Sequence, residues 1–184
     1  MQYDPARHNR QSFRLKGYDY GKPGAYFFTL CLQNRNDWLF GSIKYGEMRL
    51  NEFGAIILDE WRCTPDIRCE IALDSFVVMP NHIHGILWIT HDVGQIPVGA
   101  DGRPPLQRQP RSLGSFIAGF KSITTRRINE IRKTPYRSVW QRNYYEHIVR
   151  NDGELRRIRR YIAENPKRWK SDEHNTGMAI PGFN

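Results

Sequence analysis

Phe76-Val77-Val78-Met79-Pro80-Asn81-His82-Ile83-His84-Gly85-Ile86-Leu87-Trp88-Ile89 holds two apolar runs, rich in β-branched and aromatic residues, that meet at Pro80-Asn81. Such runs around a Pro-Asn dipeptide read as the two strands of a hairpin. The second run starts with His82 and His84 around the apolar Ile83. Side chains alternate faces along a strand, so both imidazoles point the same way, about 6–7 Å apart along the chain. Neutral imidazole is a common metal ligand, and two on one face can share an ion. A His-x-His pair on a strand is more often a surface or hydrogen-bonded core pair, so the rest of the chain has to decide.

Upstream, residues 1–24 are polar and basic, with Arg7, Arg10, Arg14 and Lys16, and read as an extended arm that becomes a loop. Ala25 to Gln33 is a nearly continuous apolar run, which argues for a central strand. Ser42-Ile43-Lys44 and Glu47-Met48-Arg49-Leu50 form a small β pair around Tyr45-Gly46. From Asn51 the apolar residues Phe53, Ile56, Ile57 and Trp61 recur at helical spacing, with Asn51 as cap and Pro65 as terminator.

Downstream of the hairpin, residues 92–111 are rich in Gly and Pro (Pro97, Pro104, Pro105, Pro110) and predict a mobile loop inside one domain. Ser112 caps a helix reaching about Lys133, whose stripe Leu113, Phe116, Ile117, Phe120, Ile123, Ile128 and Ile131 is read as core. Lys121 and Arg126 fall off that stripe as candidates for phosphate contact. A loop entering a strand follows at Val139–Arg150. Asn151 with Glu154 resembles a capping box and opens a last helix that Pro166 stops. Residues 171–184 read as a flexible tail. The order β, small β pair, α, ββ, α, β, α predicts an α+β fold, a ferredoxin-like sandwich with a central antiparallel sheet and packed helices.

A chain of 184 residues suits one well-cored domain, 1–184. No apolar run approaches the ~20 residues of a membrane helix, and the N-terminus lacks a signal-peptide apolar region. Cys31, Cys63 and Cys69 lack zinc-knuckle spacing and suit a reducing cytoplasm. The net charge of +9 is unevenly placed. Residues 1–102 carry 10 Lys and Arg against 12 Asp and Glu, whereas residues 103–170 carry 18 against 5. This asymmetry points to a polyanion held by the C-terminal half. An anionic membrane is disfavoured, because the arginine-rich helices carry no broad aromatic face.

On the last helix Leu155, Ile158 and Ile162 form the buried stripe. With Leu155 at 0°, Tyr161 lies at about 240° and Asn165 at about 280°, sharing a face that borders the stripe. Arg157 lies beside Tyr161, and Arg160 on the outer face. A phenol, an amide oxygen and an arginine therefore line one edge of the helix. If that edge faces the histidines, a metal gains an oxygen ligand and a nucleophile stands beside it.

His82-Ile83-His84 with Tyr161-Ile162-Ala163-Glu164-Asn165-Pro166 far downstream resembles the single-tyrosine HUH transposases. It is more closely similar to their REP-associated tyrosine transposase branch. The resemblance runs through Arg14–Tyr20, Ala25–Thr29, Glu47–Asn51, Val77–Gly85, Leu113–Lys121 and Trp140–His147, in order. It implies that His82 and His84 bind Mg²⁺ or Mn²⁺, that Asn165 completes the metal site, and that Tyr161 is the nucleophile. Related insertion-sequence enzymes often use Gln at the position of Asn165; both side chains offer an amide oxygen. The implied function is a transposase-like, site-specific endonuclease and strand transferase. It nicks and rejoins single-stranded or hairpin DNA (REP-like palindromes) through a 5′-phosphotyrosine. Arg14, Lys16, Lys121, Arg126, Arg142, Arg157 and Arg160 are then the candidate nucleic-acid contacts. His147 is a candidate accessory ligand, base or phosphate contact, or equally a structural histidine. Monomer and homodimer both stay open. The competing readings are a catalytically idle basic nucleic-acid-binding protein of the same fold and a metal-dependent phosphodiesterase that uses water.

Overall fold

A computed structural model describes residues 19–90, 112–175 and 178–179. The expected hairpin is there: strand β5 (Ile71–Val78) and strand β6 (His82–Ile89) turn through Pro80 and Asn81, with Val78 opposite Ile83 and Val77 opposite His84. Strand β1 (Gly24–Cys31) lies beside β6, antiparallel, and strand β7 (Tyr145–Val149) pairs with the other side of β1, giving the order β5-β6-β1-β7. β1 is central, as its continuous apolar run requires.

Helices α1 (Glu52–Arg62) and α3 (Leu113–Arg132) each connect two parallel strands that sandwich an antiparallel neighbour. Two interleaved βαβ units of this kind make the ferredoxin-like sandwich. Tyr26, Phe28 and Leu30 of β1 meet Ile57, Trp61, Phe116 and Phe120 of these helices in the larger core. On the opposite face Ala25, Phe27 and Ile86 meet Leu155 and Ile162 of helix α4 (Asp152–Glu164). That second face carries the histidines. Gly85 is set by close approach: a Cβ there would stand 2.6 Å from the Phe28 ring.

Short elements complete the chain. Strands β3 (Gly41–Lys44) and β4 (Glu47–Leu50) form the expected pair, and Tyr45 and Gly46 both adopt positive φ (54° and 78°), the turn that matches strand twist. Asn51 caps α1 by accepting from Phe53 and Gly54 N–H. Pro65 does not end the helical run outright. It lies in the first turn of a short helix α2 (Thr64–Ile67), where a missing N–H costs nothing. Strand β2 (Asp37–Trp38) pairs in parallel with β8 (Met178–Ala179).

The structure differs from the sequence reading in further details. On α3 Thr124 and Asn129 take inward positions, while Ile131 is 46% exposed. The Thr124 hydroxyl donates to Phe120 O and accepts from Trp140 Nε1, so its burial is satisfied. Asn165 is helical (φ −56°, ψ −44°) despite preceding Pro166, because the backbone passes there from α4 into a 3-10 helix, Asn165–Ser171, with the proline in its first turn. The tail is also engaged over its described part: Asp172 N–H donates to Trp169 O, and His174 O accepts from Asn81 Nδ2 at 2.6 Å. The loop 92–111, Arg14 and Lys16 lie outside the described residues.

Candidate active site

His82 and His84 are 0% and 2% exposed. Alternation alone places them on one face; the neighbouring side chains fix their rings. His82 Nδ1 faces Asn81 Oδ1 at 2.9 Å, and an amide oxygen only accepts, so Nδ1 carries the proton and Nε2 keeps its lone pair. His84 Nδ1 lies 2.8 Å from the Thr29 hydroxyl on the paired strand β1. The two Nε2 atoms converge at 3.1 Å. Burial, with a further push from His84 and His174, lowers the His82 pKa well below the ordinary value; burial and His174 bring His84 to about 3. Both rings are therefore neutral at pH 7, and each carries one nitrogen lone pair.

Helix α4 brings Tyr161 to this pair. Its hydroxyl stands 3.2 Å from His84 Nε2, and its ring meets Phe27 edge-on at 6.2 Å. Burial pushes the phenol pKa up, Asp172 and Glu173 push it further, and a hydrogen bond with Asn165 pulls it back. One turn on, Asn165 is 1% exposed and its Oδ1 is buried with no hydrogen-bond partner. A buried carbonyl oxygen without a donor is costly, and here it belongs to the side chain expected to complete a metal site.

The tail adds two residues that the sequence reading did not single out. The His174 ring lies 4.5 Å from that of His82, its Nδ1 is buried without a partner, and donor atoms of His82, Asp172 and His174 lie within 4.8 Å of one another. Two neutral imidazoles, an orphaned amide oxygen and a nearby carboxylate fit a divalent cation that accepts mixed nitrogen and oxygen ligands. Asn81 joins these parts: besides orienting His82, its Nδ2 donates to Arg35 O and His174 O, both at 2.6 Å.

A bulge between Leu73 and Phe76 on β5 aims Asp74 at α4, where it accepts from Arg159 Nε and Nη2 at 2.9 and 2.6 Å and from Trp88 Nε1 at 2.9 Å. This moors the helix that carries Tyr161. Arg157 is exposed and reaches Glu154 at 3.5 Å. Arg126 is exposed, 3.9 Å from Glu130, and Arg142 and Arg160 are exposed.

Lys121 is a different case. Its Nζ donates to the carbonyls of Gln141 and Arg142 at 2.9 and 3.3 Å and lies over the Tyr144 ring, so it staples the loop before β7. His147 Nε2 meets Glu154 Oε1 at 2.8 Å, while Oε2 of Glu154 accepts from Arg150 N–H. The capping carboxylate thus reaches one residue further back than in the usual box and ties β7 to the start of α4. Among the described residues no helix is long and apolar enough to cross a membrane.

No family model matches the chain. An uncharacterized protein of Haemophilus influenzae is 37% identical over 178 residues, which cover 93% of this chain and 96% of that protein. The REP-associated tyrosine transposase of Escherichia coli is 27% identical over 147 residues, covering 80% of this chain and 68% of its own. A solved structure of a REP-associated tyrosine transposase bound to a REP hairpin superposes with a TM-score of 0.58 at 20% identity, covering 86% of this chain and 74% of that one. This last likeness is one of fold.

Proposed function

We propose, on the premise that this chain belongs to the REP-associated tyrosine transposase family, that it cleaves and rejoins single-stranded DNA beside a hairpin by a metal-assisted transesterification. The observation that carries the proposal is the Tyr161 hydroxyl 3.2 Å from Nε2 of His84, which itself faces Nε2 of His82 at 3.1 Å. In this reading His82, His84 and Asn165 hold Mg²⁺ or Mn²⁺. Bound there, the cation supplies Lewis-acid polarisation of the scissile phosphate. The Tyr161 oxygen attacks phosphorus, a tyrosyl–phosphate bond forms, and the bond to the 3′ oxygen breaks. The phenolic proton ends on the released 3′ hydroxyl. The bond energy is retained in the 5′-phosphotyrosine, and attack by a 3′ hydroxyl reverses the step.

The chain's own residues orient and hold. Asn81 and Thr29 keep both Nε2 atoms turned to one point, and Asp74 holds α4 through Arg159. The raised phenol pKa keeps Tyr161 protonated at neutral pH, and a cation held beside it would favour the phenolate. The cationic C-terminal half supplies sequence-independent affinity for phosphate.

The test is a denaturing gel. Incubating the protein with Mg²⁺ or Mn²⁺ and labelled hairpin DNA carrying single-stranded flanks is expected to yield a covalent adduct that maps to Tyr161. DNA binding with no adduct under either metal overturns the enzymatic reading in favour of the idle binding protein. Cleavage without an adduct means that water is the nucleophile.

A further inference from the structure

On the sheet face opposite Tyr161, the C-terminal half of α3 and the segment 133–142 enclose a groove of about 900 Å³. Its walls include Trp140 and Thr125. Its charged lining is one-sided: Arg126, Lys133, Arg137 and Arg142 face a single carboxylate, Glu130. The fifth cation, Lys121, is already engaged by the carbonyls of Gln141 and Arg142 and shapes the end of the groove.

On the lip stands Tyr136, whose ring is fully exposed and whose backbone is left-handed (φ 65°). A bulky residue pays about 1 kcal/mol or more for that conformation, and full exposure means that the ring is not repaid by burial. The turn that presents it is fixed from inside. Buried Asn129 donates to Arg137 O at 2.7 Å and accepts from the Thr134 hydroxyl at 3.2 Å. A preorganised, unburied aromatic ring above a cationic trough is the arrangement that single-stranded nucleic acid uses, with the ring stacking on a base and the cations tracking phosphates. A duplex hides its base faces and offers nothing for the ring to stack on.

The chain itself links the groove to the candidate active site. Gln141 N–H donates to Cys31 O at 3.0 Å, and Cys31 lies opposite His82 in the β1–β6 register. Beyond Arg142 the chain enters β7 at Tyr145, whose ring meets the same Phe27 that Tyr161 contacts. The segment 141–145 thus runs from the groove to the face where the phosphate would be attacked.

We infer that this groove binds a single-stranded segment of DNA continuous with the strand that Tyr161 attacks, with one unpaired base stacked on Tyr136 and phosphates against Arg126, Lys133 and Arg137. The continuity rests on the function proposed above; binding of a single strand in the groove does not.

The experiment uses the full chain and fluorescently labelled hairpin DNA with an oligothymidine flank on the 5′ side, on the 3′ side, or on neither. Wild type is expected to bind one flanked hairpin more tightly than the flankless one. Tyr136→Ala should lose that gain by about ten-fold, the size of one base–aromatic stack, and bind the flankless hairpin as wild type does. Tyr136→Phe, which keeps the stacking face, should retain it, and Arg126→Glu with Arg137→Glu should remove it. The inference is overturned if Tyr136→Ala leaves the gain from the flank intact. It is equally overturned if a blunt duplex or an oligoglutamate peptide displaces the flank as well as oligothymidine does. Failure of wild type to form the covalent adduct, with the flank effect present, sinks the proposed cleavage and leaves the groove assignment standing.

Discussion

Asp74 and Arg159 meet side-on at 2.6 and 2.9 Å across the interface between β5 and α4. The carboxylate is on hand because a bulge lifts it out of the ladder, a usual role for bulges next to active sites. Tyr161 lies two residues beyond Arg159 on the same helix, so this pair sets where the phenol stands relative to His84.

The first prediction concerns that pair and acid. Burial raises the Asp74 pKa, but hydrogen bonds from Arg159, Trp88 and the Ser75 amide more than offset this and hold it at about 2, against an unfolded value near ~3.9. A depressed carboxyl contributes stability that is complete above its unfolded pKa and is lost as pH falls toward the folded one. Asp74→Asn should therefore cost about 1–2 kcal/mol at neutral pH, a discounted figure because Arg159 is half-exposed. Urea titrations stepped from about pH 5 to pH 2 should show the two proteins converging. A gap that persists at the acid end would mean that the ion pair is not its source.

The second concerns Gly85. The Phe28 ring would lie 2.6 and 2.8 Å from an added Cβ, and Phe28 is fully buried between Trp61 and Phe116. Gly85→Ala should destabilise the fold by about 1–3 kcal/mol through overpacking, read as a lower thermal midpoint. Phe28→Leu in the same chain should restore part of the loss.

Local rules reached some of this arrangement and not the rest. Period-two alternation is a property of the chain itself, so His82 and His84 could be assigned one face before any partner was known. The 3.6-residue period did the same for Tyr161 and Asn165. Lys121 misleads because a cation off the apolar stripe reads as solvent-facing, and the carbonyls it serves, at 141 and 142, come close only when the chain folds. Asp74 becomes an anchor through a register shift, and His174 is held beside His82 by its carbonyl, which accepts from the side-chain amide of Asn81, 93 residues away. No periodic pattern encodes either. A residue before proline is biased away from helical geometry, and the passage of Asn165 into a 3-10 helix is a compromise that dipeptide preferences do not foresee.

The third prediction separates metal ligands from their supports. Titration of Mn²⁺ by electron paramagnetic resonance in the absence of DNA should give no tight site in His82→Ala or His84→Ala. Thr29→Val should weaken the site by about 10- to 100-fold, the usual effect of losing an imidazole's hydrogen-bond partner. Asn165→Ala should weaken it through loss of the orphaned Oδ1. If His174→Ala weakens Mn²⁺ more than Asn165→Ala does, the ion is held by the His82, Asp172 and His174 group instead.

The fourth concerns salt. On single strands each neutralised phosphate adds about −0.7 to the slope of log affinity against log salt. Arg126→Ala and Arg157→Ala remove exposed cations and should each flatten the slope by up to that amount. Lys121→Met should act differently: removing an internal staple costs stability and leaves the slope unchanged. A slope near zero in wild type would remove the nucleic-acid reading altogether.

The last prediction concerns the nucleophile. Tyr144 and Tyr145 are the nearest rivals in an arginine-rich stretch. Tyr144 lies under Lys121, and Tyr145 reaches Phe27. Tyr161 has its hydroxyl within hydrogen-bond distance of a site histidine, His84. Tyr161→Phe deletes that oxygen and leaves the ring against Phe27 and His84, so the fold should lose no more than about 1 kcal/mol. Mn²⁺ binding and DNA affinity should survive, because neither the imidazoles nor the cationic surface is touched. Strand cleavage and covalent attachment should vanish, since no hydroxyl remains to attack phosphorus. Peptide mapping of the wild-type adduct should return the peptide containing Tyr161. Recovery of Tyr144 or Tyr145 instead, or covalent cleavage by Tyr161→Phe, would place the chemistry on β7 and leave α4 a purely structural helix.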